Sequence, residues 1–248
     1  MKTSLIYLSH SQDKVGRIYK VKIVMGINYR KLEDTLFDDW QRDENRKPFI
    51  KDGVVNPKLF KYLKIVFILK EANDPECNDG WDLREYLSDG GREQTWDNIA
   101  LLTYGIKNIE KDFNWEVLTH KRTEPDFRKN MLNQICAFNI KKVPGGHTSD
   151  THKLVEIGRM DAKYLTRQYK IYSDSNLFIC CGTTTGDVFM NYILKGNDSD
   201  WIKTKRGIWF FKMEESKYAI YYFHPEARID DNLLYYGLID GVKEILNK

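Results

Sequence analysis

Four polar clusters in this chain carry side chains able to move protons or stabilise charge. They are Lys70-Glu71-Ala72-Asn73-Asp74-Pro75, Lys141-Lys142-Val143-Pro144-Gly145-Gly146, Gly182-Thr183-Thr184-Thr185-Gly186 and His224-Pro225-Glu226-Ala227-Arg228. Glu71 or Asp74 supplies a carboxylate, which can stabilise a developing cation or position a water molecule. His224 supplies a donor that is neutral near physiological pH. Asn139 interrupts an apolar run just before the second cluster. An amide there is costly unless hydrogen-bonded, and it offers a donor and an acceptor together. Each residue also has a plainer reading. Glu71 or Asp74 can cap a following helix, His224 can be satisfied by backbone, and Asn139 can pin adjacent loops. A fifth group, His147 and His152 with Asp150 between them, is a weak metal site without a third separated ligand.

The clusters share a context. Each follows a short apolar run: Ile65–Leu69, Ile135–Ile140 (broken by Asn139), Leu177–Cys181 and Ala219–Phe223. Continuous apolar runs of this length suit strands buried on both faces of a parallel sheet. Helical periodicity separates them. Leu154, Ile157, Leu165 and Tyr169 share one side of 150–172, and Leu234, Leu238, Val242 and Ile245 share one side of 230–246, where Asp230 and Asp231 suit the start. Residues 82–106 read as two short helices broken at Gly90-Gly91, and 206–213 as a further, antiparallel strand. The alternation predicts a three-layer α/β/α domain around a central, mostly parallel four-stranded sheet. In such a sheet, ligands bind outside the carboxyl ends of the strands, so all four clusters gather at one rim.

Composition allows this architecture. The chain has 248 residues, 42% hydrophobic and 30% charged, enough apolar material for a sizeable core, and its 16 Gly and 6 Pro exclude a collagenous or low-complexity chain. Lys and Arg number 39 against 36 Asp and Glu, a net charge of +3 that permits a nucleic-acid partner without announcing one. No apolar run approaches the roughly 18 residues of a membrane span. Met1 to Gln12 lacks the apolar stretch of a signal peptide, so the expectation is a cytoplasmic protein without a membrane partner, and Asn197-Asp198-Ser199 carries no meaning as a glycosylation site. Cys77, Cys136, Cys180 and Cys181 form no CxxC pair and read as reduced, mostly buried thiols. Residues 1–55 are the least legible. Leu32, Leu36 and Trp40 suggest one amphipathic helix, and Asp52-Gly53 and Asn56-Pro57 read as turns. The expected division is an N-terminal extension over 1–55 and an α/β domain over 56–248.

The order of these motifs resembles the uracil-DNA glycosylase superfamily. A strand precedes Lys-Glu-Ala-Asn-Asp-Pro, a strand ending at Asn139 precedes Lys-Lys-Val-Pro-Gly, a strand precedes Cys-Gly, and a strand precedes His-Pro-Glu-Ala-Arg. The likeness spans about Leu63 to Arg228. Two departures stand out: Lys70 occupies the place of the family's leading glycine, and Glu226 stands where serine is common. The register of the first motif fits one branch at Glu71-Ala72 and another at Asn73-Asp74-Pro75.

The resemblance implies a monofunctional enzyme that flips a base out of DNA and hydrolyses its N-glycosidic bond, with no cofactor and no metal. Glu71 or Asp74 would be the acidic residue and His224 the donor to the departing base. Asn139 would read the base, with Asn73 beside it, and Trp81 would stack on it, although Trp96 and Tyr86 compete for that role. Arg228, Lys141 and Lys142 would meet DNA phosphates, with Lys203, Lys205 and Arg206 as further candidates. The family includes uracil-excising enzymes and anti-phage members that remove hypermodified cytosines. The changed motifs favour a modified pyrimidine. A non-catalytic DNA-binding module and a nucleoside hydrolase are the alternatives.

Overall fold

The computed structural model describes residues 6–12 and 18–24 as backbone, and 27–44, 46–146 and 148–247 in full. The elements run β1 (Ile6–Gln12), β2 (Ile18–Val24), α1 (Tyr29–Glu44), β3 (Ile50–Lys51), β4 (Gly53–Val54), β5 (Ile65–Leu69), β6 (Trp81–Asp82), α2 (Leu83–Ser88), α3 (Thr95–Lys107), α4 (Trp115–Arg122), α5 (Phe127–Leu132) and β7 (Ile135–Asn139). They continue with α6 (Thr151–Met160), α7 (Ala162–Ile171), β8 (Leu177–Cys181), α8 (Thr183–Val188), a π-helical turn (Phe189–Leu194), β9 (Ile202–Lys203), β10 (Trp209–Glu214), β11 (Lys217–Tyr222) and α9 (Asp231–Leu246).

The fold is α/β. The four apolar runs form β7, β5, β8 and β11, adjacent and mutually parallel. Side chains alternate between two cores, as strands buried on both faces require. Ile65, Phe67 and Leu69 of β5 join a core with α2, α3, α4, α5 and α9, whereas Val66 and Ile68 join one with α1, α6, α7 and the π-helical turn.

The sheet is larger than expected and mixed. It has seven strands in the order β4-β7-β5-β8-β11-β10-β9, and β4, β10 and β9 pair antiparallel. Among the described residues, β1 with β2 and β3 with β6 make two small separate sheets. Contacts run across the boundary expected after residue 55. β4 belongs to the central sheet, and α1 buries Phe37 and Trp40 completely in one core. Leu32 stays exposed, so the buried stripe of α1 runs through Tyr29, Glu33, Leu36, Phe37 and Trp40. The helical pattern over 150–172 resolves into α6 and α7, separated at Asp161, a fully buried carboxylate that takes Arg46 at 2.6 Å. Residues 206–213 contain most of β10, antiparallel to β11 as expected. Among the described residues, no helix is long and apolar enough to cross a membrane. Cys136, Cys180 and Cys181 are buried free thiols, and Cys77 is half-buried and free.

Candidate functional site

Two loops leave neighbouring strands and stay paired beyond them. Past the ladder of β5 and β7, the N–H of Ile140 donates to Leu69 O, that of Lys141 to Lys70 O, that of Gly145 to Ala72 O and that of Asp74 to Gly145 O, all within 3.0 Å. Asn73 and Gly145 form a parallel bridge. The first acidic cluster is thereby laid along the second loop. Gly145 is required by close approach, because a Cβ there would lie 2.6 Å from Glu71 Oε1 and 2.8 Å from its Cγ.

A cleft of about 830 Å³ opens at this rim. Its walls include Glu71, Asn73, Asp74, Trp81, Asn139, His224 and Arg228, so one cavity collects seven of the nine expected site residues. Lys70, Tyr86, Arg92, Thr95, Trp96, Ser149 and Glu226 also line it.

The two acids have different surroundings. Glu71 Oε1 accepts a hydrogen bond from the Ser149 hydroxyl at 2.7 Å. Its Oε2 is buried with no hydrogen-bond partner among the described residues. Asp74 Oδ2 accepts from Trp81 Nε1 at 2.8 Å, which fixes the indole of Trp81, packed edge-on against Tyr86 at 5.5 Å. Asn139, the last residue of β7, is 2% exposed, and its side-chain Nδ2 is buried without a partner among the described residues. A buried donor without an acceptor is costly, and Asn139 is one of the residues that line the cleft.

His224 follows β11. The backbone N–H of Glu226 donates to its Nδ1 at 3.1 Å, which leaves Nε2 as the protonated nitrogen. Burial lowers its pKa, and Lys70 acts in the same direction against the opposing carboxylates Glu226 and Glu71, so the ring is neutral at pH 7. The Glu226 carboxylate accepts from the Thr95 backbone N–H at 3.2 Å and from the Thr95 hydroxyl, at the first turn of α3. The Asn98 side chain, one turn further, donates to Pro225 O at 2.8 Å. The histidine loop is thus clamped onto the N-terminus of α3.

The basic residues divide. Arg228 is exposed at the cleft, as is Arg92, which the sequence reading did not single out. Lys142 is fully buried and pairs with Asp52 at 2.7 Å, so it cannot reach a phosphate outside the protein. Lys141 is half-buried, donates to Pro144 O at 3.4 Å and does not line the cleft. Among the more distant candidates, Lys203 lies over the Trp209 ring and Arg206 pairs with Asp240. The third cluster turns away: Thr184 and Thr185 are buried in α8, and none of its threonines lines the cleft. His147 lies outside the described residues. Asp150 caps α6 by accepting from the Lys153 N–H, and His152 is exposed on that helix.

Arg92, Thr95 and Ser149 line the cleft from outside the four clusters, and no sequence pattern marks them. Lys70 and Glu226 did carry a signal, since both break the motif pattern. Compared with known proteins, the chain matches no family model and no curated sequence.

Proposed function

We propose that this protein is a monofunctional DNA glycosylase that binds an everted pyrimidine in the cleft and hydrolyses its bond to deoxyribose. The observation that carries the reading is the convergence of a carboxylate, an unpartnered buried amide and a neutral histidine on one open cavity. The same convergence supports the finer assignment of the fold to the uracil-DNA glycosylase-like type, with the four parallel strands as its centre.

In this reading Asn139 Nδ2 donates to a carbonyl of the base, and Trp81, held by Asp74, forms an aromatic wall beside it. As the C1′–N1 bond breaks, its electron pair goes to the base. Nε2–H of His224 hydrogen-bonds the base as negative charge builds. Glu71 lies near enough to His224 to act on its charge, and its unpartnered Oε2 is the acceptor for the attacking water. Water oxygen adds to C1′, one water proton goes to the carboxylate, and the departing base later takes a proton from solvent. Arg92 and Arg228 at the exposed rim meet phosphates. No step uses a cofactor.

The departures at Lys70 and Glu226 favour a modified base over uracil, such as a hypermodified cytosine of phage DNA, and the cleft of about 830 Å³ has room for one. The deciding test is base release from duplexes carrying uracil, hypoxanthine, hydroxymethylcytosine and glucosylated cytosine. Release of a modified cytosine with an abasic site left behind is the expected outcome. Tight binding with no release from any duplex defeats the enzymatic reading, and release from free nucleoside alone points to a nucleoside hydrolase.

A further inference from the structure

β4 begins at Gly53, opposite Ala137 of β7, so the ladder of this antiparallel pair stops short of Asn139. The backbone N–H and C=O of Asn139 point toward the β4 side, because Ile140, the next residue, bonds to β5 on the other side, and backbone pairing on the β4 side resumes only where the Ile50 N–H donates to Lys142 O. Side chains fill the gap. Asp52 Oδ2 accepts from the Asn139 N–H at 2.7 Å, and Lys142 Nζ donates to the Asn139 carbonyl at 2.7 Å.

The two side chains are also bound to each other. Lys142 Nζ donates to Asp52 Oδ1 at 2.8 Å and Oδ2 at 2.7 Å, so all three of its protons are used. Gln168 Nε2 donates to Asp52 Oδ1 at 2.7 Å. Both charged side chains are 0% exposed, and the ammonium lies 5.0 Å from the Phe138 ring, 5.4 Å from Trp40 and 5.7 Å from Phe37. A buried ion pair adds little net stability over well-packed apolar residues, so stability alone explains it poorly. Its bonds hold both backbone groups of a cleft-lining residue whose side-chain Nδ2 has no partner among the described residues.

We infer that Asp52 and Lys142 are positioning residues: the buried pair stands in for the backbone pairing that is interrupted at Asn139, between Gly53 opposite Ala137 and the Ile50 N–H on Lys142 O, and fixes the Asn139 amide at the angle needed to read a base. The inference rests on the glycosylase reading for its substrate, while the holding of Asn139 is testable without it. Two double variants separate the roles. Asp52→Leu/Lys142→Met removes both charges together. Asp52→Asn/Lys142→Met does so while keeping one oxygen to accept the Asn139 N–H.

Two readouts are taken on each, with melting curves to establish folding: hydrogen exchange of the Asn139 backbone amide, and the ratio of kcat/KM between the best and second-best base. The Leu/Met pair is expected to lose Asn139 protection and to lower kcat/KM on the best base by about 10- to 100-fold, collapsing the ratio, as small misplacements do. The Asn/Met pair is expected to recover part of both. A folded Leu/Met variant with unchanged protection, or with lost protection and an unchanged ratio, overturns the inference. If the Leu/Met pair does not fold, unchanged values of both readouts in the Asn/Met pair overturn it. A wild-type protein that releases no base defeats the glycosylase reading, and exchange alone then decides whether the pair holds Asn139.

Discussion

Glu71 and Asp74 stand three residues apart in one loop, yet their neighbours assign them different work. Asp74 is occupied by the Trp81 indole, whereas Glu71, also a cleft-lining residue, keeps one buried oxygen with no partner among the described residues. Glu71→Gln is therefore expected to lower the single-turnover rate of base release by roughly 10²- to 10³-fold with the melting temperature nearly unchanged. Asp74→Asn, which leaves a group able to accept from Trp81, is expected to cost less than about 10-fold. Equal losses in the two variants would reverse the assignment. His224 gives a prediction in pH. Its pKa is held below the ordinary value near 6.5, chiefly by burial. Protonation puts a hydrogen on Nδ1 and destroys the bond from the Glu226 N–H, so the rate should stay constant at neutral pH and fall as pH drops through a midpoint below 6.5. A pH–rate profile checks this: the acid limb should be missing from the residual rate of His224→Ala, and a limb centred above 6.5 would count against the assignment.

Helix α3 shows how an element can be finished by a distant loop. Gln94, its N-cap residue, has φ of +64° and makes no side-chain capping bond. The exposed first N–H groups of a helix need acceptors, and the Glu226 carboxylate supplies one from 131 residues away. A serine at 226 could not reach so far. The departure from the resembled motif thus has a physical role, because one residue caps α3 with its side chain and orients His224 with its backbone. Glu226→Ala is expected to destabilise the fold by about 1 kcal/mol, the usual cost of a lost cap, and to lower base release as well. Glu226→Gln, which keeps an acceptor for Thr95, should restore most of the stability. Thermal unfolding and turnover measured together test this, and a full rate in a destabilised Glu226→Ala would separate the cap from the site.

In the molecule as a whole, packing runs across the boundary expected after residue 55. Residues 29–55 supply a sheet strand, a packed helix and two buried carboxylates. Glu33 takes Arg84 at 2.8 Å and Asp52 takes Lys142 at 2.7 Å. Removing residues 1–55 would leave Arg84, 1% exposed, with Asp82 but without Glu33 and Asp34, and Lys142 without its ion-pair partner Asp52. Breaking one buried pair costs about 3–5 kcal/mol, so the loss of two rivals the whole stability of a domain. The 56–248 fragment is expected to lack a cooperative unfolding transition by circular dichroism. A fragment that melts cooperatively near the full-length temperature would restore the boundary after residue 55.

The parallel centre of the sheet and the rim holding Glu71, Asn139 and His224 were legible in the amino-acid order, because strands buried on both faces must be apolar at every position and ligands gather past their carboxyl ends. The two-residue strands β3, β4, β6 and β9 were not, since nothing so short carries a period. Lys141 and Lys142 were indistinguishable in the chain. Only the folded molecule separates them, by bringing Asp52 from 90 residues away to bury one ammonium beside Asn139. A charge enters a protein interior when a partner is waiting there, and that partner is chosen by tertiary proximity, to which local sequence is blind.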